Sequence, residues 1–159
     1  MNDLLKKQYQ LIMEAREVVF QYLGKDVAGE LTTELPEFNN KSIAYMMTHI
    51  ANTYVAWAGN FALSAKLDYY EITDGSNVDQ LREIFNTVNQ LMEQFILHFS
   101  ENPHSEVKGY KWPDKFIETD AYSIFTHVIT HEFHHKGQSM TMSRLLGYSP
   151  PDTDILRFN

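Results

Sequence analysis

Apolar residues recur at intervals of three and four along four stretches of the chain, which is the spacing of one face of an α-helix. The first stretch runs from Leu4 to Leu23, with Asn2 or Asp3 as its predicted N-cap and Gly24 ending it in a left-handed conformation. Each stretch is long enough for a helix of about five turns or more. The other three stretches cover residues 41–66, 78–99 and 119–146.

The connections between these stretches contain the residues that interrupt helices. Glycine, proline, asparagine and aspartate fall within residues 25–40 and 67–77. Residues 100–118 contain two prolines and are predicted to be irregular, and loops of this length often cover a functional site. Gly147, followed by two prolines, ends the last helix. With no convincing strand, the sequence predicts an all-α protein, a four-helix bundle that forms one domain over residues 1–159.

The composition is that of a globular protein, with 43% hydrophobic and 13% aromatic residues. No stretch approaches the ~18 uncharged apolar residues of a membrane span, and the charges near the N-terminus do not fit a signal peptide. The absence of cysteine excludes disulfides, thiolate nucleophiles and thiolate metal ligands. A net charge of −8 disfavours binding to phosphate backbones. We therefore expect a cytoplasmic protein that binds neither membranes nor nucleic acid.

Helix four, with Thr119 or Asp120 as its N-cap, carries four of the seven histidines of the chain. His127, His131 and His135 recur every fourth residue and therefore share one face of the helix. His131 and His135 form an i, i+4 pair that can hold a divalent ion. Two core histidines with hydrogen-bond partners are the alternative interpretation. All three cannot bind one ion, because the outer two lie about 12 Å apart along the helix axis.

A third ligand must come from another helix, and His49 on helix two and His98 on helix three are the candidates. If helices two and four are antiparallel, His49 lies at nearly the same height as His131 and His135. His98 lies in the last turn of helix three and therefore near one end of the bundle. The sequence thus predicts a metal site formed by His49, His131 and His135. His127 is predicted to lie in the polar core or beside the ligands. His134 is predicted to contact a partner, a phosphate-like group or solvent. His98 and His104 are predicted to lie at the surface or at helix ends.

Residues 131–135 also match the H-E-x-x-H pattern of zinc peptidases, in which the glutamate acts as general base. Glu132 lies about 60° around the helix from His135, so it can reach a water molecule on the ion. A surface position or a contact with the ligands is the alternative for this residue. Only Asp152 and Asp154 follow as downstream acidic ligands, and no sheet is predicted beside this helix. A zinc peptidase is therefore the less favoured interpretation.

A histidine early in helix two, followed by a histidine-rich segment late in helix four, resembles the DinB family, which includes the YfiT-like proteins. The matching segments are residues 48–52 (THIAN), 131–138 (HEFHHKGQ) and 144–147 (RLLG). Length and four-helix layout extend the likeness over nearly the whole chain. Lys136 stands where many members have arginine, which keeps the charge but loses the bidentate geometry. The resemblance implies an up-down-down-up bundle, three histidines on one divalent metal and frequent homodimers.

The family also implies a range of activities. Its members include metal-dependent thiol transferases that use low-molecular-weight thiols such as bacillithiol, and mycothiol-dependent isomerases. Three neutral imidazoles leave Zn²⁺ or Ni²⁺ with open positions for water or a substrate. Because the chain has no cysteine, any thiol must come from a cosubstrate. We expect a metal-dependent thiol S-transferase or hydrolase acting on a small molecule, and a non-catalytic dimeric binding module is the alternative.

Five further residues are candidates for contacts with a substrate. Aromatic side chains on helix two can form the wall of a pocket, although residues at this spacing more often belong to the core or to a dimer interface. Basic residues on helix four can receive an anionic substrate, or they can simply interact with the helix dipole. The aromatic candidates are Tyr45, Tyr54 and Trp57, and the basic candidates are Lys136 and Arg144.

Overall fold

The computed structural model describes residues 2–157, which form a mostly helical protein with a small two-stranded sheet. Met1, Phe158 and Asn159, which the single-domain prediction includes, lie outside the described residues. Across residues 2–157, no helix combines the length and the apolar character needed to cross a membrane. Short 3-10 turns lie in the connections, at Ala28–Glu30, Pro36–Phe38 and Ile72–Gly75. The main elements are α1 (Asn2–Asp26), α2 (Ile43–Tyr54), α3 (Val78–His98), β1 (Glu106–Trp112), β2 (Lys115–Asp120) and α4 (Ala121–Leu145).

The starts of three helices are fixed by side chains that bind free backbone groups of the first turn. Ser42 caps α2, Asn77 caps α3 and Asp120 caps α4, each accepting a hydrogen bond from the backbone N–H three residues later. The structure therefore selects Asp120 rather than Thr119 as the cap of α4. Gly147 has a φ of +93° just after α4, which confirms the predicted end of that helix.

Two predicted features of α1 are wrong. Gly24 lies inside the helix, which continues to Asp26, and it does not adopt a left-handed φ. It lies where the start of α3 packs against α1, since a Cβ at this position would be 3.5 Å from the Val78 side chain. Asn2 and Asp3 both lie within the helix, so neither residue is its cap.

The second helix does not continue as a regular α-helix to Lys66, as the periodicity predicts. It changes to a π-helix over Val55–Ala62 and ends there. The wider π turn displaces the side-chain faces relative to an α-helix, and such segments are frequent at functional sites. Trp57 and Phe61 lie on this segment, with their ring centroids 5.6 Å apart.

Residues 100–105 are irregular as predicted, but a hairpin follows them, so the prediction of a purely α-helical chain is wrong. β1 and β2 form an antiparallel hairpin in which Glu106 pairs with Asp120 and Tyr110 pairs with Phe116. Val107 is the one buried side chain of the two strands. A hairpin without a buried face lacks the alternation of apolar and polar residues that marks a strand in sequence.

Helix α4 packs against α2 in the antiparallel direction. Ser139 lies beside Met47, with 4.0 Å between the hydroxyl oxygen and the sulfur. Further along the pair, the Trp57 ring lies against the His127 ring, with centroids 5.1 Å apart. Residues with higher numbers on α2 and its π-helical continuation therefore contact residues with lower numbers on α4. This antiparallel arrangement places the middle of α4 beside the middle of α2.

The connection after the π-helix returns along α2 before α3 begins. The Asn52 amide donates to the Tyr70 carbonyl at 2.9 Å and accepts from the Tyr70 backbone N–H at 2.8 Å. Gly75 then lies against Thr48, since an added Cβ would be 2.7 Å from the Thr48 hydroxyl oxygen. Helix α3 therefore starts beside the first half of α2.

The hydrophobic core lies between the four helices, and each of them contributes to it. Burial of these side chains is the main favourable term in folding. Because the buried side chains of a protein interior are closely packed, they fix the distance between α2 and α4. They therefore also fix the place where the polar side chains of the two helices meet. The largest fully buried side chains are Leu23, Leu31, Ile43, Met47, Ile50, Tyr54, Leu81, Phe85, Met92, Phe95, Ile124 and Phe125.

Candidate metal centre

Three half-buried histidines meet where α2 faces α4. His49 comes from α2, and His131 and His135 come from successive turns of α4. One ring nitrogen from each lies within 4.8 Å of the other two. The ring centroids are 5.0 Å apart for His49 and His131, 4.7 Å for His49 and His135, and 4.4 Å for the pair on α4. The structure therefore brings together the three side chains that the sequence selects as metal ligands.

The ring nitrogens of the α4 pair are spaced as two ligands of one ion would be. The Nε2 atoms of His131 and His135 are 3.2 Å apart. Two nitrogens bound to one zinc ion at about 2.1 Å in tetrahedral geometry are about 3.4 Å apart. In the absence of an ion the same distance allows one imidazole to donate a hydrogen bond to the other. The spacing thus fits either arrangement without a large movement.

Gln138 determines which nitrogen of His135 is free. Its side-chain oxygen lies 2.6 Å from His135 Nδ1 and accepts a hydrogen bond there. The lone pair of the imidazole is then on Nε2, which faces the other histidines. His131 has no such support, because its Nδ1 is buried and has no hydrogen-bond partner among the described residues.

The environment keeps all three histidines neutral near pH 7. Burial lowers the pKa of His131 to about 4, and the neighbouring His135 and His49 add to the effect. Burial also lowers the pKa of His49 and of His135. A neutral imidazole has a free lone pair, which a metal ligand requires. The donor set, the nitrogen spacing and the protonation states therefore fit a divalent metal ion.

The other histidines lie outside this group. His98 is the exposed last residue of α3, and His104 is exposed near the start of β1, as predicted. His134 is also exposed, next to the His135 ring. His127 is exposed rather than part of the polar core, and its ring centroid is 5.7 Å from that of His131.

Glu132 belongs to a second polar centre, on a neighbouring face of α4. Its two carboxylate oxygens accept hydrogen bonds from Arg16 Nε and Nη2, both at 2.8 Å. The Tyr54 hydroxyl donates to the same carboxylate at 2.6 Å. Arg16 also donates to Asn89 at 2.8 Å, and the Tyr9 hydroxyl donates to that asparagine at 2.9 Å. This buried network links all four helices.

The network changes the interpretation of Glu132. The side chains of Glu132 and Arg16 are each only 3% exposed, so a surface position is wrong. Burial alone would lower the pKa of Arg16, but the Glu132 carboxylate outweighs this effect and holds the pKa well above its usual value. Burial and the same carboxylate raise the pKa of Tyr54 well above 10.0. With both oxygens engaged by these groups, Glu132 is not positioned as a general base for the histidine cluster.

The peptidase interpretation also conflicts with the structure. The third histidine comes from α2, whereas a zinc peptidase takes its third ligand from residues after the H-E-x-x-H segment. The glutamate of the segment forms an ion pair with Arg16 instead of facing the site. The resemblance to that motif is therefore one of sequence alone.

Sequence reasoning missed Arg16, although the signal was present. Arg16 follows Ile12 by four residues and precedes Val19 by three, so it occupies the apolar face of α1. A charged residue at a core position needs a buried partner of opposite charge. Glu132 is that partner, and its identity depends on tertiary packing.

The basic residues on α4 have different roles. Lys136 is buried, donates a hydrogen bond to the Thr153 carbonyl, and lies 3.6 Å above the Phe133 ring. Burial lowers the pKa of this lysine. Arg144 is exposed. Lys136 therefore holds the C-terminal tail against α4 and does not face the histidines' cavity.

A cavity of about 230 Å³ opens beside His49. Tyr45 lies on its wall and stacks on the His49 ring at a centroid distance of 6.1 Å. Tyr54 is not part of a pocket wall, because it is fully buried in the network around Glu132. The cavity is lined by Tyr45, Thr48, His49, Asn52, Tyr70, Glu71 and Ile72.

Fold and site together define a helical protein with a three-histidine cluster of the kind that holds a divalent metal. The family model described as "DinB family" matches residues 1–159, the whole chain, so the protein belongs to the DinB family. This confirms the resemblance found in the sequence. The comparison with curated proteins returns no significant match.

Proposed function

We propose that this protein binds one divalent ion, Zn²⁺ or Ni²⁺, through His49, His131 and His135, and uses it to activate a low-molecular-weight thiol or water. The observation that carries the proposal is the convergence of three neutral imidazoles within 4.8 Å. A divalent ion with three such ligands lowers the pKa of a water molecule or thiol that binds it. The reaction would be a thiol S-transfer or a hydrolysis.

The residues around the site support this proposal. Each histidine donates one nitrogen lone pair, and Gln138 orients His135 through the Nδ1 hydrogen bond at 2.6 Å. The chain has no cysteine, so the thiol would be a cosubstrate. The cavity beside His49 gives a small molecule access to one of the three histidines. Glu132 has no part in the proposed chemistry, because Arg16 and Tyr54 occupy its oxygens.

We also propose that the chain is a single domain with an up-down-down-up helix order, that it forms homodimers and that it acts in the cytoplasm. Contacts of α1 with α4 support the helix order, since Arg16 meets Glu132 and Tyr22 meets Ser143 further along both helices. Rising residue numbers on both helices indicate a parallel pair. The antiparallel contacts of α2 with α4 agree with this order.

Elemental analysis of purified protein tests the metal site. We expect about one ion per chain in the wild type, and loss of the ion in a His49→Ala variant. His134→Ala is the matched control, because His134 is an exposed histidine beside the cluster and should be dispensable. Metal retained in His49→Ala, or lost equally in His134→Ala, would contradict the assignment.

Turnover assays then separate an enzyme from a metal-binding module. The metal-loaded protein is incubated with a low-molecular-weight thiol and a panel of electrophiles, and with hydrolysable esters and amides. We expect turnover that disappears after chelation and returns when zinc or nickel is added. A folded, metal-loaded protein without turnover on either panel would favour the non-catalytic binding module.

A further inference from the structure

A second cavity, of about 310 Å³, lies beside the histidine cluster, toward the N-terminus of α4. Three elements meet there: the π-helix, β2 and α4. Cavities of this size are at the lower end of those that bind small molecules. Its wall includes Trp57 from the π-helix, Ile117 from β2, and Ser123, Ile124 and His127 from α4.

The hairpin holds the aromatic wall of this cavity in place. Lys111 of β1 donates a hydrogen bond to the Ala56 carbonyl at 3.1 Å, which ties the hairpin to the π-helix. The same ammonium lies 5.1 Å from the centre of the Trp57 ring. Phe61 meets Trp57 edge to face at 5.6 Å. Trp57 is therefore held on several sides, so its ring is a fixed surface on which a flat ligand can pack.

His127 connects this cavity with the histidine cluster. Its ring meets Trp57 at a centroid distance of 5.1 Å and an interplanar angle of 66°. On the other side it lies 5.7 Å from the His131 ring. His127 precedes His131 by four positions, which corresponds to about 6 Å along the helix axis. The cavity and the histidine cluster are therefore neighbours along α4, about one helical turn apart, with His127 between them.

We propose that this cavity binds the flat, uncharged aromatic or conjugated part of the substrate, whose reactive atom lies at the histidine cluster. The rings of Trp57 and His127 and the side chain of Ile117 favour an apolar group, and the Ser123 hydroxyl at the rim can bind one polar substituent. Glu118 also lines the cavity and the chain has a net charge of −8, which disfavours an anionic group. The placement of the reactive atom rests on the proposed function, whereas the aromatic site does not.

The aromatic site is tested first on metal-free protein, with 4-fluorobenzyl alcohol as the probe and ¹⁹F NMR as the readout. We expect saturable binding that weakens at least ten-fold in a Ser123→Phe variant, whose ring fills the cavity. Ser123 is exposed and its backbone N–H makes the cap contact with Asp120, so this change should preserve the fold. Thr130→Phe, at an exposed position of α4 outside the cavity, is the matched control and should bind like the wild type. Trp57→Ala provides a second variant and should also weaken binding.

Absence of saturable binding in the wild type, or equal binding in Ser123→Phe, would overturn the aromatic site.

The link to the histidines is tested by calorimetry on zinc-loaded protein, comparing 2-phenylethanethiol with ethanethiol. We expect the phenyl group to strengthen binding at least ten-fold in the wild type and in Thr130→Phe, and to have no effect in Ser123→Phe. If the alcohol binds and neither thiol does, the proposed thiol chemistry fails while the aromatic site stands. If both thiols bind equally and the alcohol does not, the aromatic site fails while the thiol chemistry stands.

Discussion

Two consecutive residues of α4 belong to polar centres of opposite character. His131 lies in a half-buried cluster of neutral imidazoles, beside a cavity and with one ring nitrogen unpaired among the described residues. Glu132 lies in a buried network in which Arg16 and Tyr54 bind both carboxylate oxygens. Consecutive residues of a helix point about 100° apart, so one helix can serve both centres.

The difference between the two centres is one of hydrogen-bond satisfaction. A buried charge is tolerated only when it is paired and hydrogen-bonded, and the Glu132 network meets that condition. In the histidine cluster the Nε2 atoms of His131 and His135 contact each other at 3.2 Å, and the buried Nδ1 of His131 has no partner among the described residues. The first centre therefore holds the helices together, whereas the second has the unused bonding capacity that a metal ion needs. Mutations should separate these roles.

The largest expected effect is on stability, from Glu132→Ala. This change leaves the Arg16 guanidinium buried without its partner, which costs about 3–5 kcal/mol. Urea and thermal denaturation of the metal-free protein measure the loss. The folded fraction should still bind metal, because none of the three histidines is altered.

A variant that removes the whole polar group is the control for this prediction. Arg16→Met, Glu132→Leu and Tyr54→Phe in combination leave no unpaired charge, and the Tyr9 hydroxyl still donates to Asn89. Replacement of a buried ion pair by apolar residues is often neutral. The triple variant should therefore be more stable than Glu132→Ala. If Glu132→Ala is as stable as the wild type but loses its metal, the two centres are not separate.

The sequence predicts the helices well because their apolar residues recur at regular intervals. It also predicts His49 as a ligand, because the rise per residue of two antiparallel helices places His49 at nearly the same height as His131 and His135. It fails where a local signal has two meanings. Gly24 has the residue type of a helix end, yet it lies inside α1, where an added Cβ would make an ordinary contact with Val78. The hairpin escapes prediction because its side chains are mostly exposed and carry no alternating pattern. The prediction for Glu132 is wrong for another reason: its partner Arg16 is 116 residues away in sequence, so only the tertiary structure brings the two together.

An intermediate effect is expected from Gln138→Ala, which acts on the histidine cluster alone. Without the Gln138 oxygen, His135 loses the hydrogen bond that keeps its Nε2 lone pair directed at the cluster. Loss of such a supporting hydrogen bond lowers metal affinity by about 10- to 100-fold. Because Gln138 is only half-buried, the free energy of unfolding of metal-free protein should change by less than about 0.5 kcal/mol. Competition with a zinc-binding dye measures the affinity.

Gln138→Glu is the matched variant for that experiment. A carboxylate at the same position still accepts a hydrogen bond from His135 Nδ1, so the affinity should be retained or increased. Equal affinity in Gln138→Ala and the wild type would mean that Gln138 does not orient His135. We therefore expect substitutions in the Glu132 network to lower stability, and substitutions at Gln138 to change metal affinity.

The smallest expected effect is the response of the Glu132 network to alkali. Burial, with the Glu132 carboxylate, raises the pKa of Tyr54 well above 10.0. Below pH 10 the phenol is protonated in both the folded and unfolded states, so its contribution to stability is complete. Above pH 10 the unfolded chain loses this proton first, so stability falls as pH rises.

At pH 10.5 the loss attributable to Tyr54 is about 0.8 kcal/mol relative to pH 9. Urea denaturation at both pH values should therefore show a smaller decrease for Tyr54→Phe than for the wild type. Its lower stability at pH 9, caused by loss of the hydrogen bond to Glu132, does not enter this difference. Tyr69→Phe, at a position that is 54% exposed, is the control and should decrease like the wild type. An equal decrease in all three proteins would show that the Tyr54 phenol ionises as readily in the folded state as in the unfolded chain, and the network would then be less closed than its hydrogen bonds indicate.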